Sequence, residues 1–263
     1  MELTIILPAY NEESIIARTL SEHLTWQVPS DVDLQNIIVV DDGSTDHTAD
    51  IVSDFATAHP LIRLVRHSVN CGKGAALKTG VSSIVSSDII GCIDSDLAYP
   101  PTVYADFLIP FHRETVDLAI GNRYHASRAG LARYPLIRRI ASHAFRHAAR
   151  TVIPHPVSDS QCGIKFFTRE AAEFLFGRLH STGFLYDLDI LSTAVACEMR
   201  IREVPVVMHL QAESALHIHR QILPVLKEII RLRRMRRSLP PQSIIRSEWL
   251  AIHSDHAGTA SSS

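Results

Sequence analysis

Asp94 and Asp96 stand two residues apart in GCIDSDLAYPP, directly after the apolar run Ile89-Ile90-Gly91-Cys92-Ile93. Carboxylates so close repel unless a cation joins them. Oxygen ligands of this kind suit Mg²⁺ or Mn²⁺, which share one or two carboxylates with the phosphates of a ligand. Spacing alone decides little, because D-x-D recurs at Asp31 and Asp33 and at Asp187 and Asp189, and aspartate is common at helix N-caps. Position separates the three. Only Asp94 and Asp96 leave an apolar strand segment directly, and Pro100-Pro101 downstream favours a turn that redirects one of the carboxylates. Asp41 and Asp42 in VVDDGSTD end another apolar run, with Ser44 or Thr45 placed to cap the helix that follows.

The elements that must carry these groups alternate in type. LTIILP, NIIVVD, LIRLVRH and DIIGCID are β-branched runs, separated by the amphipathic stretches NEESIIARTLSEHL, STDHTADIVSDFATA and GKGAALKTGVSSIV. Near-continuous apolar strands joined by helices predict a mostly parallel sheet covered on both faces, hence an α/β fold. Ligands of such sheets bind beyond the carboxyl ends of the strands. Those ends hold Pro8-Ala9-Tyr10-Asn11-Glu12, Asp41-Asp42-Gly43-Ser44, Asn70-Cys71-Gly72-Lys73-Gly74, Asp94-Ser95-Asp96 and, after a fifth strand DLAIGN, Arg123. Further on, 134–152 reads as a basic helix, SQCGIKFFT and IREVPVVMHL as strands, and REAAEFLFGRL and DLDILSTAVACEM as helices.

The chain has 263 residues, 46% hydrophobic and 21% charged, which excludes a disordered or fibrous protein. Its net charge of -2 conceals an asymmetry: 118–158 contains no acid but seven arginines, and RLRRMRR closes a later helix. Nucleic acid, phosphorylated ligands and anionic membrane all answer such a pattern. Four scattered cysteines without a C-x-x-C pair fit a reducing, cytosolic compartment. No apolar run reaches spanning length and no signal peptide opens the chain, so the expectation is a protein that does not cross a membrane by itself. His67 and Leu77 stand where a Walker loop and a dinucleotide fingerprint need glycine. His143 and His147 have metal-ligand spacing but no third ligand nearby, so they read as part of the basic surface.

LPAYNEE, VVDDGSTD, NCGKGAALKTG, DSDLAYPP and GNRY, in this order and spacing, resemble the family 2 glycosyltransferases of GT-A fold. DSQCGIKFFTREAAEFLF, GFLYDLDIL and IREVPV narrow the resemblance to the dolichyl-phosphate glucose and mannose synthases. It implies a Rossmann-like GT-A domain over 1–216 and an inverting, metal-dependent transfer of glucose or mannose from UDP-glucose or GDP-mannose to a polyprenyl phosphate. By resemblance Pro8, Ala9, Tyr10, Glu12, Asp41, Asp42, Lys73, Asp94 and Ser95 bind the nucleotide sugar. Asp94 and Asp96 orient Mg²⁺ or Mn²⁺. Asp96 and Arg123 act in catalysis, and Arg123, Arg138 and Ser142 meet the acceptor phosphate. Arg138 and Ser142 fall i,i+4 on one helical face, and a guanidinium fork suits phosphate.

A phosphate acceptor already carries its charge, so no general base is needed and Asp187 reads as a helix-start or supporting group. A saccharide or protein hydroxyl acceptor would instead use Asp187 as base. A non-enzymatic module binding nucleic acid or a membrane surface through the basic segments is the alternative of another class, and it leaves the acidic strand exits unexplained. Residues 217–239 read as a basic amphipathic helix, lying in a headgroup layer or packed on its own domain, and 240–263 as a flexible tail. The expected location is the cytosolic face of a membrane, peripherally, with no nucleic-acid partner. DSDLAYPP differs from the DADLQHPP-like form frequent in mannose synthases, which leaves the hexose open.

Overall fold

The computed structural model describes residues 1–126, 157–183, 185–208 and 242–259. Seven strands form one mixed sheet in the order β3-β2-β1-β4-β6-β5-β7. They are β1 (Glu2–Ala9), β2 (Asp33–Asp41), β3 (Ile62–Arg66), β4 (Ile89–Ile93), β5 (Leu118–Asn122), β6 (Ile164–Thr168) and β7 (Ile201–Pro205). β6 runs antiparallel to both β4 and β5, and the other pairings are parallel. The expected α/β fold with a mostly parallel mixed sheet is therefore present.

Alternation along the strands explains why both faces are covered. Ile6, Ile38, Val40, Ile90, Cys92, Ile120 and Phe167 join one buried cluster, while Leu3, Ile5, Leu7, Ile37, Val39, Ile93 and Phe166 join the other. Helices α1 (Ile16–Leu24), α2 (Thr48–Ala58) and α4 (Tyr104–Arg113) supply the second cluster, and α3 (Lys73–Ser82), α6 (Arg169–Gly177) and α7 (Tyr186–Ala196) the first. A short α5 (Arg123–Ala126) follows β5. Thr168 caps α6 by accepting from the Ala171 amide at 3.2 Å.

Local hydrogen bonds shift two predicted boundaries. α1 begins at Ile16 rather than at Asn11, because Asn11 and Glu13 are used to join the loops after β1 and β2. The Thr45 amide donates to Asn11 Oδ1 at 2.9 Å, the Asn11 amide to Ser44 Oγ at 3.0 Å, and the His47 amide to Glu13 Oε2 at 3.0 Å. The start of α2 is held neither by Ser44 nor by Thr45: Asp46 Oδ1 accepts from the Thr48 amide at 3.0 Å.

The tail expectation fails at α8 (Gln242–Thr259). Trp249 is 3% exposed and meets the Phe174 ring edge-on at a centroid distance of 5.3 Å. Arg178 pairs with Glu248 at 2.5 Å and Arg246 with Glu198 at 2.6 Å. A segment of ordinary composition is ordered by one aromatic ring seated on a distant helix, which local sequence does not announce. The basic helix expected over 217–239 lies outside the described residues.

Candidate functional site

β1, β2 and β4 end side by side, so their exit loops converge with the start of α3. Together they line a cleft of about 290 Å³ bounded by Pro8, Ala9, Tyr10, Glu12, Asp42, Asn70, Gly72, Lys73, Ala76, Asp94, Ser95 and Asp96. Nine of the residues expected from sequence meet here. Asp41 does not: it is wholly buried, accepts from the Ser44 amide at 3.1 Å and pairs with Arg66 at 3.1 Å, so it shapes the loop from behind.

Asp42 makes one wall. Its Oδ1 accepts from His67 Nδ1 at 2.7 Å and the Cys71 amide at 2.9 Å, and its Oδ2 from the Gly72 amide at 2.8 Å. His67 Nε2 meets Thr79 Oγ1 at 2.9 Å, so α3 is tied to the same carboxylate. Asp42, His67 and Cys71 bring possible ligand atoms within 4.8 Å of one another; Asp42 Oδ1 already accepts two internal bonds, and Oδ2 accepts one and keeps acceptor capacity. Gly72 has φ 96°, and a Cβ there would come within 2.5 Å of the Thr182 carbonyl. The 180–183 loop on the other side of that contact is fixed by Asp189 Oδ2, which accepts from the His180 and Ser181 amides at 2.8 and 3.0 Å. Asn70 lies at the strand exit named from sequence, whereas the hydrogen-bonding roles of His67 and Asp189 were not foreseen because their partners are distant in the chain.

The floor is acidic. The Asp94 amide donates to the Gly163 carbonyl at 2.9 Å, and the Asp94 carboxylate receives Lys73 Nζ. A Cβ at Gly163 would run into that carboxylate, so this glycine permits the close approach of the second half of the chain. Asp96 Oδ1 accepts from the Ala98 amide at 2.9 Å, turning the chain before α4 rather than capping the helix. Ser95 Oγ donates to the Pro8 carbonyl at 2.9 Å.

Burial, then repulsion from Asp96, Asp94 and Asp46, pushes the Glu12 carboxyl up to about 7. Burial and then Asp94 also raise Asp96. Burial lowers the Lys73 ammonium, but Asp94 and Asp187 outweigh it and leave the group above its ordinary value. Glu12, Asp94, Asp96 and Asp187 thus converge with the two ammonium groups of Lys73 and Lys165 among the described residues. Hard oxygen donors gathered in this way fit a divalent cation at Asp94 and Asp96.

Asp187 lies beneath this floor. Lys165, 2% exposed, donates to it at 2.5 Å and to the Cys162 carbonyl at 2.6 Å. The D-x-D at Asp31 and Asp33 belongs to the opposite end of the sheet, where Asp33 pairs in register with Glu2. Arg123 grips Asp159 in a two-point pair, Nε to Oδ2 at 2.7 Å and Nη2 to Oδ1 at 2.8 Å, and also reaches the Gln161 carbonyl at 3.2 Å. It is not among the cleft-lining residues. Arg138 and Ser142 lie outside the described residues.

A helix-flanked mixed sheet with a carboxylate-lined cleft at the exits of its parallel strands defines an α/β protein that binds its ligand at that edge. Glycosyl transferase family 2 matches residues 4–176, and the chain belongs to that family. It is 32% identical over 222 residues to a dolichyl-phosphate beta-glucosyltransferase of Trichomonas vaginalis, covering 77% of this chain and 62% of that protein's length. It is 28% identical over 220 residues to the dolichyl-phosphate beta-glucosyltransferase of Homo sapiens, covering 78% of this chain and 66% of the relative. Among solved structures, glucosyl-3-phosphoglycerate synthase of Mycobacterium tuberculosis in complex with Mn²⁺, UDP-glucose and phosphoglyceric acid aligns with TM-score 0.59 at 22% identity, over 87% of this chain and 79% of that one. That likeness establishes a shared fold.

Proposed function

We propose that this protein transfers glucose from UDP-glucose to a polyprenyl phosphate of the dolichyl type, with inversion at the anomeric carbon. The observation that carries the reading is the contrast between two carboxylate sets. Asp94, Asp96 and Glu12 line the open cleft, where burial and then the Asp96, Asp94 and Asp46 charges push Glu12 up to about 7, whereas Asp187 is buried on Lys165. A hydroxyl acceptor needs a general base, and a carboxylate locked to a buried ammonium serves poorly as one. A phosphate monoester attacks without deprotonation.

In this reading Asp42, Tyr10 and the Gly72–Lys73 backbone hold the nucleotide, and the cleft places its diphosphate over Asp94 and Asp96. Mg²⁺ or Mn²⁺ held there would offset the charge that gathers on the departing diphosphate. An acceptor phosphate oxygen forms the new bond to the anomeric carbon as the old carbon–oxygen bond breaks, and UDP leaves with the electron pair. Residues orient the partners and balance charge. Arg138 and Ser142 are proposed for the acceptor phosphate. Arg123 acts through the position of the Asp159 loop or, by turning from Asp159, on the phosphate itself. Among the described residues no helix is long and apolar enough to cross a membrane, and the proposed site of action is the cytosolic membrane surface.

Purified protein is incubated with UDP-glucose or GDP-mannose, Mg²⁺ or Mn²⁺, and dolichyl phosphate in lipid vesicles. A chloroform-soluble glucolipid with a β-linkage is the expected product. Absence of lipid product with either donor and either cation would overturn the proposal. Asp96→Asn and Arg138→Ala should each slow transfer by about 10²-fold or more.

A further inference from the structure

The ammonium group of Lys73 occupies the carboxylate on which the metal reading depends. Lys73 opens α3 behind Gly72 and bonds Asp94, with the two side chains 27% and 29% exposed. The same ammonium is drawn by a second carboxylate, Asp187, in the layer below. The Tyr186 ring lies at the junction, 5.7 Å from Lys73 Nζ and 5.8 Å from Lys165 Nζ. Lys73 is therefore paired with Asp94 at the cleft and shares the Tyr186 ring with the buried Lys165–Asp187 pair.

A monovalent and a divalent cation cannot share one carboxylate at contact distance without strong mutual repulsion. We propose that Lys73 is a built-in counter-ion that neutralises Asp94 while the cleft is empty and must leave that carboxylate before a divalent cation can seat there. The proposal rests on the reading of Asp94 and Asp96 as the cation site. A nucleotide diphosphate supplies new anionic oxygens to the displaced ammonium, so cation and donor bind with positive coupling. The empty protein then holds Mn²⁺ weakly, although the acids are already gathered.

The test is a titration of the full chain with Mn²⁺, following the free-ion EPR signal, with and without UDP. Lys73→Met and Lys73→Arg are compared with the parent protein, and circular dichroism reports folding. Lys73→Gln serves the same comparison if the methionine variant does not fold. Without UDP, Lys73→Met should bind Mn²⁺ at least about tenfold more tightly than the parent, because a like charge has gone. Lys73→Arg should bind as weakly as the parent. UDP should tighten Mn²⁺ binding of the parent and do so less for Lys73→Met, and adding Asp94→Asn to Lys73→Met should cancel its gain. If the parent binds Mn²⁺ in the presence of UDP but Lys73→Met binds no more tightly without it, the counter-ion role is overturned and the cation site stands. If neither binds Mn²⁺ under any condition, both are overturned.

Discussion

Replacing Asp187 by asparagine separates two accounts of the buried carboxylate. Its side chain is 8% exposed and that of Lys165 is 2% exposed, so the pair is desolvated. Removing one charge of such a pair costs about 3–5 kcal/mol, since the other is left uncompensated. Total stability of a domain is about 5–15 kcal/mol, so Asp187→Asn should still fold at 25 °C. Adding Lys165→Met removes the orphan ammonium and leaves mainly the Cys162 carbonyl without its donor, a cost of about 1–3 kcal/mol. The double variant should therefore regain roughly half of the lost stability, read by guanidinium unfolding. Transfer rate per folded molecule should fall less than about tenfold in Asp187→Asn, as befits a group that supports the floor from below. A general base would behave otherwise. A loss of about 10²-fold or more that persists in Lys165→Met/Asp187→Asn would refute the phosphate-acceptor argument, because base catalysis contributes effects of that size.

Glu12 predicts a pH dependence. Its folded-state value of about 7 lies above the ordinary 4.5, so its contribution to stability is full below pH 4.5 and is lost as pH rises through 7. A cation at the neighbouring aspartates favours the ionised form, so Mn²⁺ binding near pH 6 should release protons and strengthen toward pH 7. Calorimetry in buffers of different ionisation enthalpy reads this, and Glu12→Gln should reduce the proton release. Gly163→Ala sets a methyl group against the Asp94 carboxylate; overpacking of this kind costs about 1–3 kcal/mol, and Mn²⁺ affinity should drop with it. Trp249→Ala should lose about 3 kcal/mol in denaturant unfolding, and an unchanged midpoint would mean that α8 is not part of the folded unit.

Most of the sheet was legible because its strands are apolar throughout and their separators are amphipathic, a pattern that only a two-sided sheet satisfies. The antiparallel entry of β6 was not legible: IKFFT reads as a strand whichever way it runs. The cleft residues after β1, β2 and β4 could be named since strand exits are where α/β sheets bind. Asp41 was misplaced with them because adjacent residues at a strand end point to opposite sides, and the sequence does not say which one faces the ligand. Asp42 and Asp189 both hold a loop by its amides, yet only Asp42 also lines the cleft, a difference that the sequence does not show. α8 escaped because its ordering comes from Trp249 meeting Phe174, two residues that no local periodicity connects.

The two halves of the chain meet at glycines, and this constrains how the site was assembled. Gly72 admits the Thr182 carbonyl, Gly74 approaches Ser181 and Tyr186, and Gly163 admits Asp94. Each contact brings backbone or side chain of the β6–α7 region against a group from the β1–β4 half, so the cleft floor is completed only when the second half docks. The charges follow the same division. Lys73 and Asp94 come from the first half, Lys165 and Asp187 from the second, and Tyr186 lies close to both ammonium groups. Docking therefore brings together two neutralised pairs, whereas Asp96 and Glu12 face the cleft as additional acids. Lys165 and Asp187 are thus buried below while Asp94, Asp96 and Glu12 line the cleft, which places the carboxylates that could hold a cation where a diphosphate would arrive rather than in the core.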